Sequence, residues 1–559
     1  MREARYRPEA VIGTVLGKWC NESFPGLPHS GLPSVAALRQ DPAVGAFVEF
    51  VKAQDLLEAT YWCSSAYALL IEDARRKQLA MFFTPPSITR RLLHDLEAAG
   101  VDFARRRFCD PACGGAAFLV PIAIRMRDAL RRQGMRASQI VAHVQTHLLG
   151  LDRDAILCAM SRQFIRMVLH NEVVASGHRP RLQVQQGDSL LQTANLLGTL
   201  DVVVCNPPFR KMPALEVQAY AREFQEVIEA QPNLYTLFIA LCVRLLAPGG
   251  TCALVTPTSY LSGHYFSKLR RFLMAQTTVL GIGMVSDRLG VFIDVEQETA
   301  LTLLRRESTG HPPAIEAEVS VVTRSGAYLD VGRCVLPNSG AAWPIPRTDS
   351  DVALLKHAAH SHARLHDYGY VARIGAFVWN RDTRPTYASA KGAVRARGGA
   401  AVPLLWSSDI GQDGKLRFTG DPKSNREPSF VNLGKKDHRS VVRRPAVLLQ
   451  RVTSNDQPRR LVAAAVPRRI FNAYGGFVGE NHTVILEQVV PDAVLTPRQL
   501  ARLLGTPTVD RYFRCISGAT NVSVFELNQL RLPDPARLRR HLAQSSEMAE
   551  AARKAFEEL

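Results

Sequence analysis

The segment Asp201–Phe209, which reads Asp-Val-Val-Val-Cys-Asn-Pro-Pro-Phe, constrains the fold of this chain more than any other stretch. The apolar run that follows Asp201 predicts a fully buried strand. Pro207 and Pro208 cannot continue that strand, because each lacks a backbone donor and fixes φ. The chain therefore turns sharply at the carboxyl end of a buried strand, which is where open α/β sheets bind their ligands.

The residues of this turn indicate the kind of group that it binds. The Asn206 carboxamide and the Pro207 carbonyl are rigid acceptors, and Phe209 offers a flat apolar face. Two acceptors beside an aromatic ring suit a planar ring that carries an exocyclic amine. An ordinary proline-rich turn after a core strand would have the same residues. The turn also resembles motif IV of S-adenosylmethionine-dependent amino-methyltransferases, in its Asn-Pro-Pro-Phe form.

A second segment, Arg107–Leu119, has the pattern of a strand, a glycine-rich turn and a helix. Its Asp-Pro-Ala-Cys-Gly-Gly turn consists of small residues that allow a ligand to approach the backbone. The segment resembles motif I of the same enzymes, although any glycine-rich turn shares part of the pattern. Ala116 stands where the family has its second glycine, so its methyl group must fit against the cofactor or point away. The resemblance implies four cofactor contacts, at Asp110, Pro111, Ala112 and Gly114.

Three further segments resemble cofactor motifs of this family. Phe83–Pro86 precedes a predicted helix that Thr84 or Ser87 can cap, and it resembles motif X, in which Thr84 would lie at the methionine end of the cofactor. Asp152 ends a predicted strand and resembles the motif II carboxylate that accepts from both ribose hydroxyls. Asp188 resembles the motif III residue that binds the adenine amine. For Phe83–Pro86 the alternative is a plain capped helix. For Asp188 the alternative is a common turn with Asp after Gly.

The order of these motifs, X, I, II, III and IV followed by a basic region, resembles that of γ-class N6-adenine DNA methyltransferases of restriction-modification systems. The resemblance covers roughly residues 80–305 well and residues 370–535 loosely. It implies S-adenosyl-L-methionine as cofactor and a flipped-out adenine as substrate. Phe292 would stack on that adenine opposite Phe209, although a core phenylalanine is an equal alternative. The catalytic residues that it implies are Asn206, Pro207, Pro208 and Phe209.

The chain is too long for one compact core, so two or three domains are expected. The predicted fold class is α/β, with a Rossmann-like seven-stranded methyltransferase domain and a C-terminal mixed α+β target-recognition domain. The predicted segments are an N-terminal helical region (1–78), the methyltransferase domain (79–306), a connector (307–362), the DNA target-recognition domain (363–540) and a C-terminal helix (541–559).

The positive charge of the chain is concentrated in one window. The net charge is +18, and Val371–Ile470 holds 20 Lys and Arg against 7 Asp and Glu. A solvated face explains any single arginine there, whereas the concentration favours a polyanion, here double-stranded DNA. A separately encoded cognate restriction endonuclease is a second partner implied by the resemblance. The DNA contacts predicted are Arg381, Arg384, Lys435, Lys436, Arg439, Arg451, Arg459 and Arg460.

The ten cysteines are scattered along the chain without zinc-ligand spacing, so we expect buried reduced thiols and no metal. Neither a signal peptide nor a membrane-spanning run is predicted, and a cytoplasmic, DNA-associated bacterial protein is expected.

Several functions remain open at this point. An Asn-Pro-Pro-aromatic turn also serves RNA and protein-glutamine methylation, and the chain could be the modification subunit of a multi-subunit restriction system. The basic C-terminal region argues against protein glutamine. A DNA-binding module with an inactive methyltransferase core is a different class of protein that cofactor binding would distinguish. No nuclease motif stands out in the sequence.

Overall fold

A computed structural model describes residues 6–28, 31–73, 76, 81, 83–285, 298–308, 315–322, 328–397, 401–418, 428–433, 439–453, 457–517 and 521–558. The chain forms two compact units. The first comprises residues 1–260, 265–330 and 338–340, and the second comprises residues 261–264, 331–337 and 341–559.

A nine-stranded sheet with the order β3-β2-β1-β4-β5-β7-β6-β8-β9 organises the first unit. The pairs β3–β2, β2–β1, β1–β4, β4–β5 and β6–β8 are parallel, and β7 runs antiparallel to β5 and β6. The strands are β1 (Phe108–Asp110), β2 (Leu148–Asp152), β3 (Gln183–Gln186), β4 (Leu200–Cys205), β5 (Leu246–Pro257), β6 (Thr277–Val285), β7 (Thr299–Arg306), β8 (Glu316–Val322) and β9 (Tyr328–Val335, which crosses into the second unit).

The sheet has two more strands than the seven that were predicted. Both β8 and β9 come from residues that the sequence analysis assigned to a connector. Their strand pattern was missed because prolines at positions 312, 313 and 337 flank short segments that alternate only partly between buried and exposed residues. The fold is therefore a mixed α/β fold built on a large, mostly parallel sheet.

The buried strand predicted before the Asn-Pro-Pro turn is confirmed as β4. Val202, Val203 and Val204 are each at most 1% exposed, because β4 lies between β1 and β5 in the sheet. Since β2, β1 and β4 are parallel neighbours, their carboxyl ends meet at one edge of the sheet. That edge carries Asp152 at the end of β2 and Asp110 at the end of β1.

Helices cover the sheet of the first unit. Asp154 is the N-cap residue of the helix that follows β2, because its carboxylate accepts from the N–H groups of Ile156 at 2.8 Å and Leu157 at 3.0 Å. The helices are α1 (Pro8–Ser23), α2 (Pro42–Lys52), α3 (Leu56–Leu70), α4 (Pro86–Ala98), α5 (Leu119–Arg132), α6 (Ala137–His147), α7 (Ala155–Val168), α8 (His170–Ser176), α9 (Ser189–Gln192), α10 (Ala214–Phe224), α11 (Leu234–Leu245), α12 (Ser259–Ser262, which crosses into the second unit) and α13 (Ser267–Gln276).

The N-terminal helix α3 packs directly on the glycine-rich turn that follows β1. The hydroxyl of Ser64 donates to the carbonyl of Gly115 at 3.3 Å, and the hydroxyl of Tyr67 donates to the carboxylate of Asp154 at 3.3 Å. A Cβ atom on Gly115 would lie 1.9 Å from Oγ and 2.4 Å from Cβ of Ser64. The N-terminal helices therefore support the turn, and Gly115 is required there by close packing.

The second unit contains two four-stranded sheets, with the orders β10-β17-β14-β15 and β11-β13-β12-β16. Its strands are β10 (Tyr370–Ile374), β11 (Thr386–Tyr387), β12 (Ala401–Leu405), β13 (Phe430–Asn432), β14 (Ala446–Gln450), β15 (Ala463–Ala465), β16 (Val478–Gly479) and β17 (Thr483–Gln488). Its further helices are α14 (Asp349–Ala359), α15 (Ala390–Arg397), α16 (Arg468–Tyr474), α17 (Pro497–Leu504), α18 (Pro507–Ile516), α19 (Val524–Gln529), α20 (Pro535–Gln544) and α21 (Met548–Glu557).

All ten cysteines are free and buried, which confirms the expectation of reduced core thiols. Among the residues described above, no helix combines the length and the hydropathy needed to cross a bilayer.

We predict that Gly115→Ala destabilises the first unit by about 1–3 kcal/mol, because the new methyl group overpacks against Ser64. Adding Ser64→Gly removes both clashing atoms, so the double variant should be more stable than Gly115→Ala alone. Thermal unfolding of the two single variants and the double variant measures this coupling. Additive losses in the double variant would show that Ser64 is not the obstructing group.

Candidate active site

A cavity in the first unit lies at the carboxyl ends of β1, β2 and β4. The predicted site residues that line it are Thr84, Asp110, Pro111, Ala112, Gly114, Asp152, Asp188, Asn206 and Pro208. Pro207 and Phe209 are not among the lining residues, and Phe292 lies outside the residues that the structure describes. The cavity therefore brings together residues that are up to 124 positions apart in the chain (Thr84 and Pro208).

The glycine-rich turn after β1 forms one wall of the cavity. The N–H of Ala112 donates to Oδ1 of Asp110 at 3.0 Å, and the N–H of Gly114 donates to Oδ2 of Asp152 at 2.9 Å. Gly114 has a φ of 49°, and a Cβ atom there would lie 3.4 Å from the ring of Phe83. The turn thus exposes backbone to the cavity and ties the ends of β1 and β2 together.

Ala116 stands at the second glycine position of the motif I that this segment resembles. Its φ is 66°. Its side chain is fully buried in the core, and the residue does not line the cavity. The methyl group therefore points away from the cavity. The left-handed conformation at a non-glycine residue costs about 1–2 kcal/mol.

Asp152 is a half-buried carboxylate at the tip of β2. Burial raises its pKa to about 6, while the N–H groups of Asp154 and Gly114, at 2.8 and 2.9 Å, partly offset that effect. Burial also raises the pKa of Asp110 well above its usual range. Two carboxyl groups with raised pKa values in one cavity are typical of a functional site.

Asp188 is the N-cap residue of the short helix α9 and faces Tyr220 from α10. Its Oδ1 accepts from the N–H of Leu190 at 3.1 Å, and its Oδ2 accepts from the hydroxyl of Tyr220 at 2.7 Å. Burial, with the hydrogen bond to Asp188 as a second cause, raises the pKa of Tyr220 to about 12. Tyr220 keeps its proton and orients the carboxylate. Sequence reasoning missed it because nothing local marks a tyrosine on a half-exposed helix as part of a site.

Asn206 and Thr84 connect the turn after β4 to the segment before α4. Nδ2 of Asn206 donates to Oγ1 of Thr84 at 2.9 Å, and Thr84 is only 2% exposed. The predicted cap by Thr84 or Ser87 is wrong, because Pro85 is the N-cap residue of α4 and no side chain caps it. The hydroxyl instead holds the carboxamide in one orientation, with Oδ1 directed away from Thr84.

An aromatic ring and an ion pair flank the turn after β4. The ring of Phe209 meets Tyr235 edge-on, with ring centroids 6.0 Å apart, and remains half-buried. Arg210 lines the cavity and forms an ion pair with Glu216. Arg210 was not predicted, because an arginine after a proline turn has no distinctive spacing.

The structure assigns structural roles to two of the predicted DNA contacts. Arg460 is fully buried and donates to Oγ of Ser517 at 2.8 Å, so the prediction that it contacts DNA is wrong. Arg384 is bound to Asp382 and donates to Oγ of Ser440 at 2.9 Å. These arginines hold loops together, a role that residue type alone does not distinguish from phosphate binding.

The remaining predicted contacts differ in their surroundings. Arg381, Arg439 and Arg459 are exposed, and half-buried Arg451 donates to the carbonyl of Asn481 at 2.9 Å. Lys435 and Lys436 lie outside the described residues.

A groove of about 1780 Å³ in the second unit carries six cationic side chains and two carboxylates. The cations are Lys415, Arg444, Arg459, Arg468, Arg498 and Arg502, and the carboxylates are Asp413 and Glu547. All six cations are exposed, and none forms a salt bridge with the part of the chain that the structure describes. We refer to this surface as the cationic groove.

Relatives of this chain are methyltransferases. It is 22% identical over 341 residues to the Type II methyltransferase M.BsuBI of Bacillus subtilis. The aligned region covers 59% of this chain and 64% of that relative. It is 22% identical over 366 residues to the Type II methyltransferase M.PstI of Providencia stuartii, which covers 63% of this chain and 68% of the relative. The chain thus spans about two thirds of the length of these curated relatives.

Solved structures share the fold. The Type IIL restriction-modification enzyme MmeI in complex with DNA has a TM-score of 0.55 at 12% identity, and the match covers 99% of this chain and 88% of that chain. A DrdV–DNA complex has a TM-score of 0.52 at 11% identity, covering 100% of this chain and 66% of that chain.

The family described as N-6 DNA Methylase matches residues 61–328, a range that contains every residue named above as lining the cavity. The match to this family covers just under half of the chain.

Proposed function

We propose that this chain transfers a methyl group from S-adenosyl-L-methionine to the N6 amine of an adenine in a specific double-stranded DNA sequence, and thereby protects DNA in a restriction-modification system. The observation that carries the proposal is that Asn206, at the end of β4, lines the same cavity as Asp110, Asp152 and Asp188. The match of residues 61–328 to the N-6 DNA methylase family supports it.

The cavity fits the cofactor. S-adenosyl-L-methionine, when bound, supplies a methyl group carried on a sulfonium. The half-buried carboxylate of Asp152 suits a pair of ribose hydroxyls, since each hydroxyl would donate a hydrogen bond to it. Asp188, which Tyr220 orients, suits the adenine amine. The bare backbone at Gly114 leaves room for close approach.

The turn after β4 activates the substrate amine. The N6 lone pair of adenine is delocalised into the ring, so the amine is a poor nucleophile. Oδ1 of Asn206 and the carbonyl of Pro207 each accept a hydrogen bond from one N–H of the amine. These hydrogen bonds shift electron density onto the nitrogen. The hydrogen bond from Asn206 to Thr84 orients the carboxamide before the substrate arrives, which is catalysis by positioning and electrostatics.

An adenine inside a duplex cannot reach this cavity, so the base must be flipped out at a cost of about a few kcal/mol. Stacking on Phe209, which remains half-buried, offsets part of that cost. The cationic groove of the second unit supports DNA as the partner, because its six exposed cations suit phosphates. That charge disfavours a protein-glutamine substrate.

We predict that Asn206→Ala abolishes DNA methylation and leaves cofactor affinity within about threefold, because the acceptor for the amine is lost while Asp152 and Asp188 remain. Transfer of labelled methyl groups measures activity, and calorimetry measures affinity. Asn206→Asp is the matched control, since it keeps an Oδ1 acceptor and should retain measurable activity. Loss of cofactor binding in Asn206→Ala would mean that the turn serves the cofactor instead.

We predict that cofactor affinity falls as the pH drops through about 6, because protonation removes the acceptor at Asp152. The ionised form binds the hydroxyls, so affinity is full above that pH and is lost below it. The Asp152→Asn variant should bind the cofactor more weakly at pH 8, and its cofactor affinity should change less with pH. Asp110 and Asp154 also face the cavity. The control Asp128→Asn, at an exposed carboxylate of α5, should keep the wild-type profile in calorimetry. An unchanged profile in Asp152→Asn would assign the titration to another group.

We predict that the triple variant Arg459→Gln, Arg498→Gln and Arg502→Gln lowers the salt dependence of duplex binding, because each phosphate contact contributes about 0.9 to the slope of log Kd against log salt. The slope should fall by up to about 2.7. Non-specific duplex DNA is sufficient as the probe. Neutralising Arg132, Arg179 and Lys356, three exposed cations outside the groove, is the control. Equal slopes for both triple variants would remove the groove from the DNA interface.

A further inference from the structure

Trp379 has an unusually exposed side chain. It is 62% exposed, more than any other tryptophan, tyrosine or phenylalanine that the structure describes. It lies in the loop between β10 and β11, in the sequence Val-Trp-Asn-Arg-Asp at residues 378–382, which we name the tryptophan turn. An exposed indole presents a large apolar face to water, so it is a candidate contact for a partner.

The tryptophan turn is anchored on both sides. The carbonyl of Val378 accepts from the N–H groups of Arg381 at 2.9 Å and Asp382 at 2.7 Å, which closes the turn. Arg384 binds the Asp382 carboxylate through Nε at 2.8 Å, and its guanidinium lies 5.5 Å from the ring centroid of Phe377. The indole therefore projects from a rigid base, so little conformational entropy is lost when it binds.

A second turn lies beside the first. The N–H of Phe377 donates to the carbonyl of Gly479 at 3.1 Å, and the N–H of Asn481 donates to the carbonyl of Phe377 at 2.8 Å. Glu480 is fully buried and holds the ring of His482, with Nδ1 2.7 Å from Oε1. The side chain of His482 is 45% exposed, so its ring presents a polar edge to solvent two residues after the Glu480 that pairs with Phe377.

The chemistry of this surface favours a nucleic acid. Asn380 and Arg381 are exposed beside the indole, and side chains of these types read base edges. The carboxylates of Asp382 and Glu480 are both engaged by neighbours within the surface, so neither opposes a phosphate. A single indole surrounded by polar groups differs from the apolar centre of a protein interface.

We propose that Trp379 is a base-contacting residue: its indole packs against the bases of duplex DNA, while Arg381 and His482 hydrogen-bond to the nucleotides beside it. The proposal rests on the proposed function for the identity of the partner and adds the element of the second unit that reads it. An aromatic side chain contacts a duplex at an apolar base edge such as the thymine methyl group, or by wedging into a base step, so Trp379 contributes affinity and its polar neighbours contribute selectivity.

Duplex binding to the full chain tests the proposal through intrinsic fluorescence and affinity together. Trp379→Ala should weaken binding about tenfold or more, whereas Trp379→Phe, which keeps a stacking ring, should stay within about threefold. Duplex DNA should quench the wild-type emission, and that quenching should be lost in Trp379→Phe. The control Trp62→Phe, at a half-buried tryptophan of the N-terminal helices, should keep it. Unchanged thermal unfolding and cofactor affinity confirm that the variants are folded.

The outcomes separate this proposal from the proposed function. If the wild-type chain binds and methylates duplex DNA while Trp379→Ala binds as tightly and shows the same quenching, the base-contacting role is overturned and the proposed function stands. If single-stranded DNA quenches Trp379 and duplex DNA does not, the duplex contact is overturned. If the wild-type chain neither binds nor methylates duplex DNA, the proposed function is overturned, and this inference with it.

Discussion

The parallel pairing of β2, β1 and β4 is the constraint on which the site depends. Parallel strands end on the same side, so Asp152, Asp110 and Asn206 meet at one edge although they are far apart in the chain. The hydrogen bond between Asn206 and Thr84 then adds the segment before α4 to that edge. The cavity is thus a consequence of sheet topology, and the hydrogen bond between Asn206 and Thr84 attaches one of its walls.

The cavity holds its carboxylates in an environment that disfavours charge. Backbone N–H groups contact Asp110 and Asp152, and burial is the largest cause of their raised pKa values. A ligand that donates hydrogen bonds to such carboxylates stabilises their charged form. The N-terminal helices contribute to this environment, because Ser64 and Tyr67 of α3 contact Gly115 and Asp154 on the two turns that bear the site.

The second unit divides its arginines between two tasks. Arg460 and Arg384 satisfy buried carbonyls, hydroxyls and carboxylates, and they stabilise the loops that carry other cations. The cations of the groove come from segments between residues 415 and 502, and they stay exposed without salt bridges among the described residues. A buried arginine requires several fixed hydrogen-bond partners, whereas an arginine that binds phosphate must be exposed. The local packing therefore decides whether an arginine is structural or available for phosphate.

Sequence alone determined the elements whose signal is local. The buried strand β4, the turn at Asn206–Phe209 and the glycine-rich turn follow from apolar runs, prolines and small residues. Tertiary structure decided which residues meet: the orientation of Asp188 by Tyr220, the use of Thr84 to hold Asn206, the two added strands β8 and β9, and the burial of Arg460. These contacts join residues far apart in the chain, and their formation depends on packing that no local pattern records.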